Sequence, residues 1–260
     1  MAEPSQQQFP EVQGGGSLII AWQVKGKTVL VVGGGEVAAG RILHCLNADA
    51  NVTVVSPAAR LNPEVAYRVA QRQVSHIDRK FETSDLEGAD MVLVAVDDPA
   101  ASTAIWKLCK ARRIPANIAD VPPECDFYFG SVHRDGPLQI MVSTNGKGPR
   151  LASIIRKFIA KHLPSNAGRA IDTVGQLRVR LREMAPRPEE GPKRMAWMMK
   201  VSDAYPWDEM CGLTDEDIGN LLRFYPSNKV PSLDTLKDMR ADAEGKRGEF
   251  DGSFGFSVGS

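Results

Sequence analysis

A glycine-rich segment near the start of the chain has the spacing of a phosphate-binding loop. Gly33, Gly35 and Ala38 fit the pattern G-x-G-x-x-A. An apolar run at 28–32 precedes the motif and a helical pattern at 36–46 follows it, which is the context that a dinucleotide fingerprint requires. The first glycine permits a tight turn, the second admits a pyrophosphate, and the alanine allows close helix packing. The alternative is a glycine turn without a ligand, but the context favours nucleotide binding.

The end of the second predicted strand determines which dinucleotide fits. An NAD site often has Asp or Glu there to bind the ribose hydroxyls, but the strand 51–55 is followed by Ser56 and Pro57. Ser56 and the backbone after it could bind a ribose less strongly, whereas Arg60 could favour a 2′-phosphate. These residues leave NAD and NADP open. The predicted cofactor-binding residues are Gly33, Gly35, Glu36, Val37, Ser56, Pro57, Ala58 and Val96.

Carboxylates follow two of the predicted strands. Asp120 comes after the strand 115–119, and ligands of open α/β sheets bind outside the carboxyl ends of strands. There it could accept protons as a general base, although a turn aspartate is an equally good interpretation. Asp97 and Asp98 follow the strand 91–96, where Asp-Pro before a helix is a common cap.

The histidines and cysteines lack the spacing of a metal site. No H-x-x-H, H-E-x-x-H or C-x-x-C pattern occurs, so we predict no protein metal ligands and free thiols. Two polar features could meet an anionic ligand. They are the turn 143–146 (STNG), through its backbone N–H groups, and a helix at 149–162, through its basic face.

Alternating strands and helices must position the glycine loop and the carboxylates. Strands are predicted at 28–32, 51–55, 74–77, 91–96 and 115–119, with helices at 36–46 and 99–112. This alternation is typical of a parallel sheet covered by helices.

Beyond this region the pattern changes twice. Residues 127–143 predict two antiparallel strands around a turn at 134–137. From 165 the pattern is helical, with Thr214 and Asp217 marking a helix start and Trp197 and its neighbouring methionines expected in a helix core. We therefore predict an α/β protein with a disordered segment at 1–16, an N-terminal Rossmann domain at 17–121, a central strand-and-helix segment at 122–164, a C-terminal helical domain at 165–240 and a flexible tail at 241–260.

The composition argues against several classes of function. The 260 residues include 32 Lys plus Arg and 32 Asp plus Glu, so no global positive field attracts nucleic acid or an anionic membrane. Residues 1–16 contain no apolar secretory segment, and no apolar run approaches the ~20 residues that span a bilayer. We expect a cytoplasmic enzyme with no nucleic-acid or membrane partner.

Four segments, in this order, resemble the siroheme synthase family: VLVVGGGEVAAGRI, NVTVVSP, NIADVPPECDFYFGSV and LQIMVSTNGKGPRLASIIR. The likeness is greatest to the stand-alone bifunctional type, precorrin-2 dehydrogenase and sirohydrochlorin ferrochelatase. The resemblance implies NAD as cofactor, a tetrapyrrole substrate, and a homodimer formed through the central segment. It implies oxidation of precorrin-2 to sirohydrochlorin, followed by insertion of Fe²⁺, itself a substrate, to give siroheme.

The same resemblance implies roles for residues of this chain. Asp120 matches the aspartate of the family's N-x-x-D-x-P pattern, which implies a proton acceptor in both reactions. Chelation removes two pyrrole N–H protons, which suits a general base, and the carboxylates of the macrocycle suit the basic helix and the polar turn. The predicted substrate-binding residues are Asn117, Ser143, Asn145 and Gly146.

Two other functions stay open at this point. Some members of the wider family are dehydrogenases only, which predicts cofactor reduction without metal insertion. A non-catalytic NAD-sensing protein would bind the dinucleotide and turn nothing over. That second alternative leaves Asp120 and the STNG turn without a task.

Overall fold

The computed structural model describes residues 12–248, with side chains as far as residue 241. The described residues form two compact units. One unit extends to Gly130 and includes the segment Ser143–Pro149, and the other comprises Ser131–Val142 and the chain from Arg150 onward.

The first unit alternates strands and helices, as the sequence predicts. Its elements are β1 (Thr28–Val32), α1 (Glu36–Leu46), β2 (Asn51–Val55), α2 (Pro63–Ala70), β3 (Ser75–Ile77), β4 (Met91–Val94), α3 (Pro99–Ala111) and β5 (Ala116–Ile118). The strands pair in parallel in the order β3-β2-β1-β4-β5. The strand sequence reverses between β1 and β4, which is the organisation of a doubly wound Rossmann-type sheet. The predicted α/β class with an N-terminal Rossmann domain is confirmed.

Side chains of the central strands point alternately into two cores, one on each face of the sheet. Val29 and Val31 of β1 join the core beneath α1, whereas Leu30 and Val32 join the core beneath α3. These side chains are at most 3% exposed. Burial of both faces explains why β1 reads as a continuous apolar run.

Helix α2 lies in residues 58–73, to which the sequence patterns assign no element. Asn62 caps this helix, because its side chain accepts a hydrogen bond from the Glu64 backbone N–H at 2.8 Å. Pro63 occupies the first turn, and Val65 is fully buried. Asn-Pro-Glu is a helix-start signal. The apolar pattern that follows it is short, and it does not by itself predict a helix.

The second unit joins a hairpin to a set of helices. Its elements are β6 (Ser131–Asp135), β7 (Leu138–Val142), α4 (Pro149–His162), α5 (Ala167–Met184), α6 (Gly191–Ala204), α7 (Trp207–Met210), α8 (Asp215–Leu222) and α9 (Leu233–Gly248). The predicted antiparallel strands are confirmed, with Ser131 opposite Val142. Thr214 and Asp217 form a capping box at the start of α8, as predicted.

Trp197 is at the centre of the helical core. It is fully buried, and its indole Nε1 donates to the Lys229 carbonyl at 2.8 Å. Met198 is also buried, at 8% exposed, but Met195 and Met199 are 58% and 60% exposed. The core prediction is therefore right for Trp197 and Met198 and wrong for the other two, which lie on the opposite side of the helix.

The two predicted tails differ from each other. Residues 12–16 contain neither helix nor strand, whereas α9 continues through residues 241–248, where a flexible tail is predicted. The parts of these predictions that fall on 1–11 and 249–260 lie outside the described residues. Along the described chain, none of the helices combines the length and apolar character that crossing a bilayer requires.

Helix α5 contacts the hairpin through a glycine. The Gly168 backbone N–H donates to Asp135 Oδ2 at 2.8 Å. A Cβ at Gly168 would overlap the Asp135 carbonyl oxygen. The close approach of helix and hairpin therefore requires a residue without a side chain.

We expect Gly168→Ala to lower the free energy of unfolding by about 1–3 kcal/mol, because the new methyl overlaps a backbone carbonyl. Gly175, two turns further along α5, is a matched control, since an added Cβ there meets no described atom within 4 Å. Gly175→Ala should raise stability by roughly 0.5–1 kcal/mol through helix propensity. Denaturant unfolding of both variants measures this, and equal effects would contradict the contact.

Candidate active site

A cavity of about 890 Å³ opens along the carboxyl edge of the parallel sheet. Its walls come from the turn after β1, the ends of β2, β4 and β5, and the beginning of α3. Open α/β sheets bind ligands where the strand order reverses, and this cavity crosses that point. The structure brings the predicted glycine loop and Asp120 together in its lining.

The glycines of the loop differ in what their missing side chains permit. Gly33 has a φ of +110°, and a Cβ there would overlap the Ala95 carbonyl oxygen, so the turn after β1 meets the end of β4 backbone to backbone. A Cβ on Gly34 would crowd the Leu61 side chain. Gly34 occupies an unspecified position of the G-x-G-x-x-A pattern, so the motif does not predict this requirement for glycine. At Gly35 an added Cβ would meet no described atom within 4 Å. This open side suits the approach of a ligand.

The N-terminus of α1 faces this open glycine. Gly35 is the N-cap, so no side chain satisfies the first backbone N–H groups of the helix. These N–H groups and the helix dipole favour an anion. Glu36 and Val37 of the first turn line the cavity, with Val37 51% exposed. The cavity, the open glycine and the uncapped helix together fit a dinucleotide pyrophosphate.

The next part of the wall follows β2. Ser56 and Pro57 line the cavity, and Ser56 is only 4% exposed. Ala58, a predicted cofactor residue, is not among the residues that line the cavity, and its N–H donates to Asp78 Oδ1 at 2.7 Å. Val96, beyond β4, lines the cavity as predicted.

Asp120 follows β5 in an uncommon backbone conformation. Its φ is +61°, in the left-handed region where Asp and Asn are the best tolerated non-glycine residues. Its exposed side chain belongs to the cavity lining. Strained backbone of this kind concentrates at functional sites, where the surrounding structure must offset the strain.

The two aspartates after β4 have different environments. Asp98 accepts a hydrogen bond from the Ala101 N–H at 3.0 Å and caps α3, which confirms the predicted cap. Asp97 lines the cavity and is exposed. Because β4 and β5 are parallel neighbours, Asp97 and Asp120 lie at the same edge of the sheet.

The segment after Asp120 folds back along β5 and is held there. The Asp126 N–H donates to the Ala116 carbonyl at 2.9 Å, and Asp126 Oδ2 accepts from the Ala116 N–H at 2.9 Å. Lys110 of α3 forms an ion pair with the same carboxylate. These contacts fix the far end of the turn that holds Asp120.

Asn117 contributes to this arrangement from inside β5. It is 4% exposed and does not line the cavity, and its Nδ2 donates to the Phe127 carbonyl at 2.7 Å. Cys125 makes a parallel contact, since its Sγ donates to the Ile118 carbonyl, and burial raises the pKa of this thiol. Asn117 thus positions the return segment, and its direct contact with substrate stays a prediction.

Arg41 carries no motif signal, yet it joins α1 to the two strands that precede Asp97 and Asp120. Its Nη1 donates to the Val94 carbonyl at 2.9 Å and to the Asn117 carbonyl at 3.4 Å. Burial lowers the pKa of this guanidinium, and the nearby Cys125 and Asp120 groups partly offset that effect. Arg41 therefore ties α1 to the ends of β4 and β5. An arginine on the sheet-facing side of an amphipathic helix is the signal that could have identified it.

The predicted substrate turn follows β7 and does not line the cavity. Asn145 and Gly146 have φ values of +50° and +74°, and Ser143 Oγ accepts from the Asn145 N–H at 3.3 Å. The Asn145 amide accepts from the Ser17 N–H at 3.2 Å and donates to the Gly15 carbonyl at 3.5 Å. Substrate contacts by Ser143, Asn145 and Gly146 stay predictions.

The cysteines are free thiols, as predicted. Burial raises the pKa of both Cys45 and Cys109 to about 11, so both are protonated at neutral pH. Within the described residues, no group of three or more His, Cys, Asp and Glu side chains is arranged to hold a metal ion.

Three family models match consecutive parts of the chain. Residues 20–131 match a model described as putative NAD(P)-binding. Residues 135–162 match the model of the sirohaem biosynthesis protein central region, and residues 164–231 match the model of its C-terminal region.

Known proteins resemble most of the chain. The siroheme biosynthesis protein met8 of Schizosaccharomyces pombe is 55% identical over 225 residues, which cover 86% of this chain and 85% of that protein. A siroheme synthase of Thioalkalivibrio sulfidiphilus is 35% identical over 192 residues, which cover 70% of this chain but only 39% of that longer protein. The solved structure of SirC, a precorrin-2 dehydrogenase, has the same fold with a TM-score of 0.59 at 20% identity, over 85% of this chain and 100% of that chain. The chain therefore belongs to the siroheme biosynthesis family, also described as siroheme synthases.

Proposed function

We propose that the chain oxidises precorrin-2 to sirohydrochlorin with NAD⁺ and then inserts Fe²⁺ to give siroheme. The observation that carries the proposal is a single cavity lined by both a dinucleotide-type glycine loop and the Asp120 carboxylate. The name of the 55% identical relative, a siroheme biosynthesis protein, supports the substrate class. The resemblance of the sequence motifs to siroheme synthases supports NAD as the cofactor and Fe²⁺ as the second substrate.

In the oxidation, precorrin-2 loses two hydrogens, one as a hydride and one as a proton. Bound NAD⁺ supplies the hydride acceptor. Asp120 would take the proton, because its carboxylate is exposed in the cavity at the carboxyl end of β5. The contacts of Asp126 with Ala116 and Lys110 hold the turn in one conformation, which lowers the entropy cost of bringing the base to the substrate.

In the metal insertion, Fe²⁺ replaces two pyrrole N–H protons and ends bound to the macrocycle. Asp120 would accept these protons in turn and pass them to solvent, since its side chain is exposed. Asp120 would then serve both steps. Oxidation comes first because its product, sirohydrochlorin, is the macrocycle that receives Fe²⁺.

We also propose that the chain forms a homodimer through an apolar face of α4. Leu151, Ile154, Ile155 and Phe158 recur at helical spacing and are 55%, 52%, 38% and 63% exposed. Exposed apolar surfaces of this kind mark protein contacts. The central segment that contains α4 is also the one that the family resemblance implicates in dimer formation, and a two-fold axis would bury this face against its own copy.

The reaction is tested with the purified chain under anaerobic conditions, with precorrin-2 and NAD⁺ first and Fe²⁺ added later. We expect NADH and sirohydrochlorin to form first, and siroheme to form faster than in a protein-free control. Asp120→Asn should slow both steps at least about 100-fold, because the amide cannot accept the proton. Asn tolerates the left-handed conformation, so this variant should keep its thermal unfolding midpoint. Absorbance spectra follow both steps.

Each outcome of that experiment assigns one part of the proposal. Oxidation without accelerated metal insertion would reduce the function to a dehydrogenase. Substantial activity of Asp120→Asn would remove this carboxylate from the mechanism. Turnover of neither substrate by the wild-type chain would reject the proposed reactions while leaving dinucleotide binding as a separate question.

The glycine loop is tested by binding alone. Gly35 has a φ of −76° and open space around an added Cβ, and Asp is a preferred N-cap, so Gly35→Asp should fold normally. Its carboxylate would face an anionic pyrophosphate, and we expect the affinity for NADH to fall at least about tenfold. Gly40→Asp, on the same helix and also in open space, should bind as wild type. Fluorescence titration measures both variants, and unchanged affinity of Gly35→Asp would contradict this binding mode.

The dimer is tested by light scattering after gel filtration. Phe158→Glu places a charge on the apolar face of α4, and we expect it to convert a wild-type dimer into a monomer. Lys157→Glu adds the same side chain at a neighbouring exposed position and should stay dimeric. A monomeric wild-type chain would contradict the homodimer, and a dimeric Phe158→Glu would exclude this face.

A further inference from the structure

Arg41 reinforces the hydrogen bond that joins β4 to the residue before Asp120. The Val94 carbonyl accepts from the Ala119 backbone N–H at 2.9 Å, and the same carbonyl accepts from Arg41 Nη1 at 2.9 Å. The Asn117 carbonyl of β5 accepts from the same Nη1 at 3.4 Å. The guanidinium is therefore bonded to the backbone at the point where the Asp120 turn begins.

The return segment after Asp120 also contacts Arg41. The centroid of the Phe129 ring lies 5.8 Å from Arg41 Cζ, which is within the range of a cation–π contact. The Phe127 ring lies 5.9 Å from that of Phe129, and the Phe127 carbonyl accepts from the Asn117 side-chain amide. Arg41 thus contacts the chain both before and after the turn that holds Asp120.

The charge of Arg41 is half-buried and has no ion-pair partner among the described residues. Burial lowers the pKa of the guanidinium, and the charges of Cys125, Asp120 and Cys45 act in the opposite direction. Burial raises the pKa of both thiols, that of Cys45 to about 11. At neutral pH the carboxylate of Asp120 is therefore the anion of the three. A half-buried charge is costly when it is not paired, so its place beside this carboxylate points to a task there.

We propose that Arg41 is a positioning residue for Asp120. Its hydrogen bonds fix the end of the strand that carries the carboxylate, and its charge attracts the carboxylate without forming an ion pair with it. The carboxylate oxygens then keep their capacity to accept a proton from the substrate. This inference rests on the proposed function, because it requires Asp120 to be the proton acceptor.

The experiment measures oxidation of precorrin-2 and affinity for NADH separately, with the full chain. Arg41→Gln keeps a hydrogen-bond donor and removes the charge, whereas Arg41→Lys keeps both. We expect Arg41→Gln to lower kcat at least about tenfold, with the KM for precorrin-2 and the Kd of NADH within about twofold of wild type. The Kd should stay because the backbone contact of Gly33 with Ala95 sets the glycine loop independently. Arg41→Lys should keep kcat within about threefold, and Lys107→Gln, which removes an exposed cation of α3, should match wild type.

A double variant separates an action through Asp120 from an independent one. If Arg41 acts through the carboxylate, adding Arg41→Gln to Asp120→Asn should slow the residual turnover by less than about twofold. Independent roles would multiply the two losses. Thermal unfolding midpoints are measured for every variant. Arg41→Met, a second charge-free variant with an unbranched chain, replaces Arg41→Gln if the latter does not fold.

Each contrary result overturns the inference in its own way. Multiplied losses in the double variant would mean that Arg41 acts independently of Asp120. A wild-type kcat in Arg41→Gln would remove Arg41 from the reaction, and equal losses in Arg41→Lys and Arg41→Gln would remove the role of its charge. A Kd of NADH that rises as kcat falls would assign Arg41 to the glycine loop. A wild-type chain that does not oxidise precorrin-2 would reject the proposed function itself, and this inference with it.

Discussion

The backbone contact between Gly33 and the Ala95 carbonyl determines how the rest of the site is arranged. Any side chain at position 33 would separate the turn after β1 from the end of β4, and α1 would begin in a different place. Because β4 pairs with both β1 and β5, the same contact sets the distance between the glycine loop and the strand that precedes Asp120. The absence of a Cβ at Gly33 thus links the two parts of the cavity on which the proposed chemistry would depend.

Asp120 depends in turn on strain that its neighbours offset. A left-handed conformation at a non-glycine residue costs on the order of 1–3 kcal/mol. The backbone and side-chain bonds of Asp126 with Ala116, and of Asn117 with Phe127, each contribute about 1 kcal/mol. The fold therefore holds the segment that follows Asp120, which would lower the ordering cost of the proposed proton transfer.

Local patterns predict those features whose causes are local. The apolar run of β1, the hairpin turn, the capping signal at Thr214 and the glycine loop are determined by adjacent residues, so the sequence is sufficient to identify them. The position of Asp120 after a recognisable strand makes it a candidate, and the resemblance of its N-x-x-D-x-P pattern to the family distinguishes it from a turn aspartate. Contacts between distant residues leave no such pattern. Arg41 donates to a carbonyl 53 positions away in the sequence, and the Asn117 side-chain amide donates to the Phe127 carbonyl. The motifs alone therefore predict neither the structural importance of Arg41 nor the burial of Asn117.

The chain is neutral overall, but the charges around the cavity follow the strand order of the sheet. Lys80 and Arg60 follow β3 and β2, and the uncapped N–H groups of α1 follow β1. Asp97 and Asp120 follow β4 and β5. Glu36, in the first turn of α1, also lines the cavity. Since the carboxyl ends of parallel strands share one edge, the two cations lie at the β3–β2 end of the cavity and the carboxylates of Asp97 and Asp120 lie at the β4–β5 end. An oxidised dinucleotide has an anionic pyrophosphate between its two nucleosides and a cationic nicotinamide ring at one end. This order of charges would orient such a ligand before any specific hydrogen bond forms, with its ring beside the carboxylate that can accept a proton.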